Sequence, residues 1–253
     1  MRISLLQRSI EWLDADKNRT SAQKWIAQCR GSQLVVLPEM FTTGFCTDPK
    51  CGAESNEETL KWMQLMAAEY QTTLAGSVAV ESGGEYFNRF YVVRPNGEYV
   101  KYDKRHLFTF AGEHLNYTAG GERVVVEIEG VRVLLLVCYD LRFPVWMRNR
   151  GDYDMILCVA AWPRPRRLPW DILLRARAIE NVCYVGGVNI VGQDVNVEYS
   201  GGTTAINFLG EVIAKVEDDA EGIATFDVDL EALGEFRAKF PALNDADDFE
   251  ILK

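Results

Sequence analysis

Leu34-Val35-Val36-Leu37, Val131 to Val137 and Met155 to Ala160 are short, nearly unbroken apolar runs. A strand with one wet face alternates apolar and polar residues, so a run without alternation reads as a strand buried on both faces. Such strands need a covering layer on each side, and the rest of the sequence supplies candidates. Asp14 to Arg30 reads as a helix closed by Gly31. Asn56 to Tyr70 carries Leu60, Met63, Ala67 and Tyr70 at helical spacing. Pro169 can open a further helix through Leu173, Ala176, Ile179 and Glu180, since proline suits a first turn.

Further strands are expected at Ile3 to Leu6, Leu74 to Val80, Phe87 to Val93, Tyr99 to Tyr102, Val124 to Ile128, Val182 to Asn189, Thr203 to Asn207, Glu211 to Val216 and Ala224 to Val228. Asn96-Gly97 predicts a tight hairpin turn, so the sheets are mixed and not purely parallel. A short helix is expected after Leu230. Strands and helices that alternate from end to end predict a layered α/β architecture. No linker, repeat or low-complexity tract divides the 253 residues, and residues 1–253 are read as one domain.

With a hydrophobic fraction of 48% the chain can fill a core, so wholesale disorder is excluded. A net charge of -10 gives no general attraction to nucleic acid or anionic lipid. No uncharged apolar run approaches the length that spans a bilayer, and Met1 to Gln7 is not a secretory signal. The six cysteines include no C-x-x-C pair, which leaves a structural zinc site unsupported. A cytoplasmic protein with reduced thiols is expected.

Reactive side chains follow buried strands at three places. Glu39 comes directly after Leu34-Val35-Val36-Leu37-Pro38. It could be a strand-end carboxylate that reaches solvent or pairs with a cation, or a buried functional group that bears a desolvation cost. Cys138 ends the run Val131 to Val137 and precedes Tyr139-Asp140-Leu141-Arg142-Phe143-Pro144. The carboxyl end of a buried strand is where open α/β sheets place ligands. A small buried hydrophobe is the alternative, and Cys158 and Cys183, inside or beginning apolar runs, read that way. Tyr102-Asp103-Lys104-Arg105-His106-Leu107-Phe108 is either a solvated charged turn or, if Lys104 faces Glu39 and Cys138, part of the same site. His106 and His114, the only histidines, raise the rival of a Cys–His hydrolase of protease type.

In that order and spacing, Pro38-Glu39-Met40-Phe41 with Gly44, Tyr102 to Phe108 and Cys138 to Pro144 resemble the motifs of the nitrilase superfamily of carbon–nitrogen hydrolases. Arg175 to Asn181 and Ser200-Gly201-Gly202 extend the resemblance over nearly the whole chain. Length and the segment Ala161-Trp162-Pro163 through Arg166 to Trp170 are most similar to the bacterial omega-amidases. The resemblance implies a four-layer α-β-β-α sandwich with two mixed sheets, commonly paired as a homodimer, with no cofactor and no metal. It implies a small-molecule amide substrate, the terminal amide of 2-oxoglutaramate or 2-oxosuccinamate, with no nucleic-acid or membrane partner.

By the same resemblance Cys138 is the nucleophile, Glu39 the general base and Lys104 the stabiliser of the oxyanion. Glu113 matches a second acidic position that holds Lys104 or assists proton transfer. Tyr139, Phe41 and Trp162 are expected to wall the pocket. Arg166 is expected to pair with the far carboxylate of the substrate, with Arg164 and Arg167 as competitors. Ala161 is a departure, since many relatives have Asn before the Trp-Pro pair. Other amidases, N-carbamoyl hydrolases and nitrilases share the triad, and a non-catalytic binding protein is the alternative of a different class.

Overall fold

The computed structural model describes residues 1–55, 57–195 and 197–251. Its strands are β1 (Arg2–Gln7), β2 (Leu34–Val36), β3 (Thr73–Ser82), β4 (Glu85–Val93), β5 (Tyr99–Asp103), β6 (Val125–Ile128), β7 (Val131–Val137), β8 (Met155–Val159), β9 (Tyr184–Val188), β10 (Val191–Gln193), β11 (Glu198–Ser200), β12 (Thr204–Ile206), β13 (Val212–Lys215) and β14 (Gly222–Asp227). The helices are α1 (Ala15–Ile26), α2 (Glu58–Tyr70), α3 (Pro144–Met147), α4 (Arg167–Asn181) and α5 (Leu230–Lys239).

Two six-stranded sheets form, in the orders β14-β1-β2-β3-β4-β5 and β13-β12-β9-β8-β7-β6. In each, three parallel strands (β1, β2, β3 and β7, β8, β9) are flanked by antiparallel ones, so both sheets are mixed. Strand alternation divides the side chains of the first sheet between two cores. Ile3, Leu5, Leu34, Val36, Phe90 and Val92 join the cluster shared with Val133, Leu135, Leu157 and Val185 of the second sheet. Leu6, Val35, Leu74, Tyr91 and Val93 turn the other way, to Ala22 and Ile26 of α1 and Leu60, Met63 and Ala67 of α2. On the outer face of the second sheet, a Cβ at Gly187 would strike Leu174 and Trp170 of α4, at 2.6 and 2.9 Å. The order is helices, sheet, sheet, helix: the sandwich that the apolar runs require.

Several boundaries differ from expectation. α1 ends at Ile26, not Arg30, because Gln28 and Cys29 donate to carbonyls three residues back in a tighter turn before Gly31, whose φ is 85°. The expected helix start at Asn56 lies outside the described residues; α2 runs from Glu58. α4 begins at Arg167, so Pro169 sits inside its first turn, where no N–H is needed. β9 starts at Tyr184 because Val182, at φ 45°, caps α4. The β10–β11 hairpin was not expected from the pattern. No helix among the described residues is long and apolar enough to cross a membrane.

Candidate active site

The segments that carry chemistry leave the sheets at one end. β1, β2 and β3 run parallel, as do β7, β8 and β9, and Glu39, Cys138 and Ala161 all follow carboxyl ends. Two glycines let the first-sheet segments close up. A Cβ at Gly76 of β3 would lie 2.9 Å from Leu37 Cβ, so the Pro38-Glu39 turn rests against that backbone. A Cβ at Gly120 would collide with Asp103 O, while Gly120 N donates to Lys104 O at 2.9 Å, fixing the residue that leaves β5.

Glu39 is wholly buried. Its Oε1 accepts from Lys104 Nζ at 3.0 Å and from Asn88 Nδ2 at 2.7 Å, and its Oε2 from Ala161 N at 2.7 Å. Lys104 Nζ also donates to both oxygens of Glu113, at 3.1 and 2.9 Å. Glu113 is itself held by Phe108 N at 2.6 Å. Burial alone disfavours the Lys104 ammonium, but Glu113 and Glu39 together outweigh it and keep its pKa above the usual lysine value. Burial raises the Glu113 carboxyl above its ordinary range, opposed by Lys104 and reinforced by Glu39.

Cys138 stands at the end of β7 with φ 48°, a left-handed conformation that costs a non-glycine residue about 1–2 kcal/mol. It opens a 3-10 turn, Cys138–Arg142, and lines the cleft partly exposed. Burial pushes its thiol well above the usual value; Glu39 adds to the rise through charge and a hydrogen bond, and Lys104 opposes it. Glu39 and Lys104 are thus bonded to each other, and both act on the thiol of Cys138.

The cleft extends outward from there as a cavity of about 320 Å³, within the range of small-molecule sites. Tyr139, Trp162 and Arg166 line it. Phe41 does not: it is fully buried on the helix side of the first sheet, 5.9 Å from the Trp62 ring, because the chain reverses at Met40 (φ 44°). Phe45, one turn later, lines the cleft instead. Arg164 is paired with Glu198 and Asp219, and Arg167 with Asp171 and Asp218. The Arg166 guanidinium stacks over Phe108 at 5.1 Å, in the cleft wall. His106 Nδ1 lies 2.8 Å from Asp140 and its ring stacks on Phe143, while His114 is exposed.

Sequence reading missed three participants. Asn88 is a buried amide within an apolar strand, and a polar side chain there signals a partner. The Ala161 backbone N–H carries no side-chain signal. Arg142 belongs to the Cys138 segment itself; it lines the cleft with its guanidinium 5.0 Å over Trp162.

The carbon-nitrogen hydrolase family model matches residues 2–238. The chain is 46% identical over 254 residues to Omega-amidase YafV of Escherichia coli strain K12, spanning 99% of this chain and 98% of that one. It is 34% identical over 250 residues to 2-oxoglutaramate amidase of Bacillus subtilis strain 168, spanning 96% of each. XC1258 from Xanthomonas campestris, a CN-hydrolase superfamily protein solved with an arsenic adduct in its active site, superposes with a TM-score of 0.95 at 43% identity, over 99% of this chain and 98% of that one. Saccharomyces cerevisiae Nit3, of branch 10 of the nitrilase superfamily, shares the fold at TM-score 0.85 and 21% identity, over 95% and 94% of the two chains. The chain is a member of the carbon–nitrogen hydrolase family.

Proposed function

We propose that this protein is an omega-amidase that hydrolyses the terminal amide of a 2-oxo dicarboxylic acid monoamide, such as 2-oxoglutaramate, through a thioester on Cys138. The observation that carries the reading is the bonded pair of Glu39 and Lys104 acting on Cys138, which lines a cleft together with Arg142 and Arg166. Glu39 takes the Sγ proton as Sγ attacks the amide carbon. Lys104 Nζ and the Tyr139 N–H receive the oxyanion, the kind of donor whose removal costs about 3–4 kcal/mol in the transition state. Glu39 then passes the proton to nitrogen, the C–N bond breaks and ammonia leaves. Water, deprotonated by Glu39, attacks the thioester; the acid departs and the thiol is restored. Glu113 keeps Lys104 charged and aimed by holding it through both carboxylate oxygens.

At the outer end Arg142 and Arg166 are the cations for the substrate carboxylate. Neither makes an ion pair within the protein among the described residues, whereas Arg164 and Arg167 are already paired. The family match over residues 2–238 supports one catalytic unit spanning the chain. A homodimer in the cytoplasm completes this reading. Exposed Leu168, Ile172 and Ile179 on α4 offer a surface for pairing.

The test is ammonia release from 2-oxoglutaramate, 2-oxosuccinamate, glutamine, a simple nitrile and a carbamoyl amino acid, with intact-mass detection of the acyl adduct. The 2-oxo amides are expected to be hydrolysed fastest, with an adduct that Cys138→Ala abolishes. Preference for the nitrile or the carbamoyl compound would replace the substrate assignment. Absence of both adduct and ammonia throughout would favour a binding role.

A further inference from the structure

Lys104 and Cys138 belong to different sheets, and one carboxylate ties the segments around them together. Asp140 is wholly buried and accepts four hydrogen bonds. Its Oδ2 accepts from Tyr102 Oη at 2.8 Å and Val137 N at 2.9 Å. Its Oδ1 accepts from His106 N at 2.9 Å and pairs with His106 Nδ1 at 2.8 Å. Tyr102 and His106 flank Lys104 by two residues on each side. Val137 precedes Cys138, and Asp140 follows it by two. The His106 ring is fixed in turn by stacking on Phe143 at 3.8 Å and by the edge of Trp146 at 5.9 Å. Since the carboxylate can only accept, His106 carries its proton on Nδ1. Each oxygen of Asp140 thus holds two bonds, and the cleft-lining residues do not include it.

We infer that Asp140 is a positioning residue for the amide hydrolysis: it clamps the end of β5 to the strained Cys138 turn and so sets Lys104 against the site of the oxyanion. The inference rests on the roles proposed above for Lys104 and Cys138. Distances between catalytic groups govern rate steeply, while contacts to the remote end of the substrate are untouched. Loss of the clamp therefore lowers kcat and leaves KM in place. It also does little further harm once Lys104 is gone, which loosening of the fold in general would not reproduce.

The test is a double-mutant cycle of Asp140→Asn and Lys104→Met, read as the rate of Cys138 acylation by p-nitrophenyl acetate and as kcat and KM on 2-oxoglutaramate. Asp140→Asn is expected to slow acylation at least about tenfold with KM changed less than about threefold. The double variant is expected to be no more than about threefold slower than Lys104→Met alone. Multiplying effects, a tenfold rise in KM, or an acylation rate within twofold of wild type would overturn the clamp. Should Asp140→Asn not fold by circular dichroism, Tyr102→Phe removes one of the four bonds and takes its place in the cycle, with an expected three- to tenfold loss. No loss there would equally overturn it. A wild-type protein that is acylated by the ester but releases no ammonia from any amide would overturn the proposed function, while the cycle still reads the clamp. A wild-type Cys138 that the ester cannot acylate overturns both.

Discussion

The two ends of the cleft are built on opposite plans. At the closed end the charges are interlocked: Glu39 accepts three hydrogen bonds, Lys104 is held by two carboxylates, and both are wholly buried. At the open end Arg142 and Arg166 lie partly exposed over aromatic rings, without a carboxylate partner among the described residues. A buried, hydrogen-bonded network fixes geometry, which bond-breaking requires. A guanidinium left unpaired at a cleft wall is available to a ligand. On the function proposed above, the contrast separates the part of the site that sets the reaction from the part that selects the molecule.

Lys104→Met attacks the closed end and should give the largest effect. Turnover of 2-oxoglutaramate is expected to fall about 10²–10³-fold, mainly in kcat. A variant that loses less than about fivefold would show that Lys104 is not the oxyanion's partner. Arg142→Met and Arg166→Met attack the open end. Each is expected to raise KM for a carboxylate-bearing amide about 10–100-fold, with kcat nearly kept, and to leave a neutral amide unaffected. An equal loss on both substrates would erase the distinction between the two ends.

A smaller effect sharpens the electrostatics within the closed end. Glu39 raises the Cys138 thiol pKa and Lys104 lowers it. Glu39→Gln should therefore speed alkylation of Cys138 by iodoacetamide at pH 8, by about three- to tenfold. Slower alkylation would contradict the assigned sign.

A charge cluster remote from the cleft should behave differently from both ends. Asp154 accepts from Arg132 and Arg237 and so ties β7 to α5. Burial works against its charge, but these arginine bonds prevail and hold its pKa below the ordinary value. Its contribution to stability is thus complete above the unfolded pKa, near 3.8, and is lost as pH falls through the lower folded value. Denaturant titrations from pH 7 to pH 3 should show Asp154→Asn less stable at neutral pH, with the gap closing in acid. Turnover per folded molecule should stay unchanged. A drop in kcat would mean that this cluster reaches the site.

The apolar runs made the layers legible because period and burial are local properties of sequence. Val131 to Val137 predicted both its strand and the thiol at its end. Convergence was legible only through the motifs' order, since nothing in the spacing of Glu39, Lys104 and Cys138 dictates that their segments meet. Phe41 was misplaced because the left-handed turn at Met40, a non-glycine, sends it to the far side of the sheet. Ala161 stood out only as a departure from relatives, and its role could not be read: its contribution is a backbone N–H, which every residue except proline carries.

Lys104 has a practical bearing on chemical profiling of this protein. Acetic anhydride and similar reagents attack amines through a free lone pair. A fully buried ammonium locked between two carboxylates offers none. Exhaustive acetylation under native conditions should therefore spare this amine until the fold opens, making its modification a reporter of unfolding.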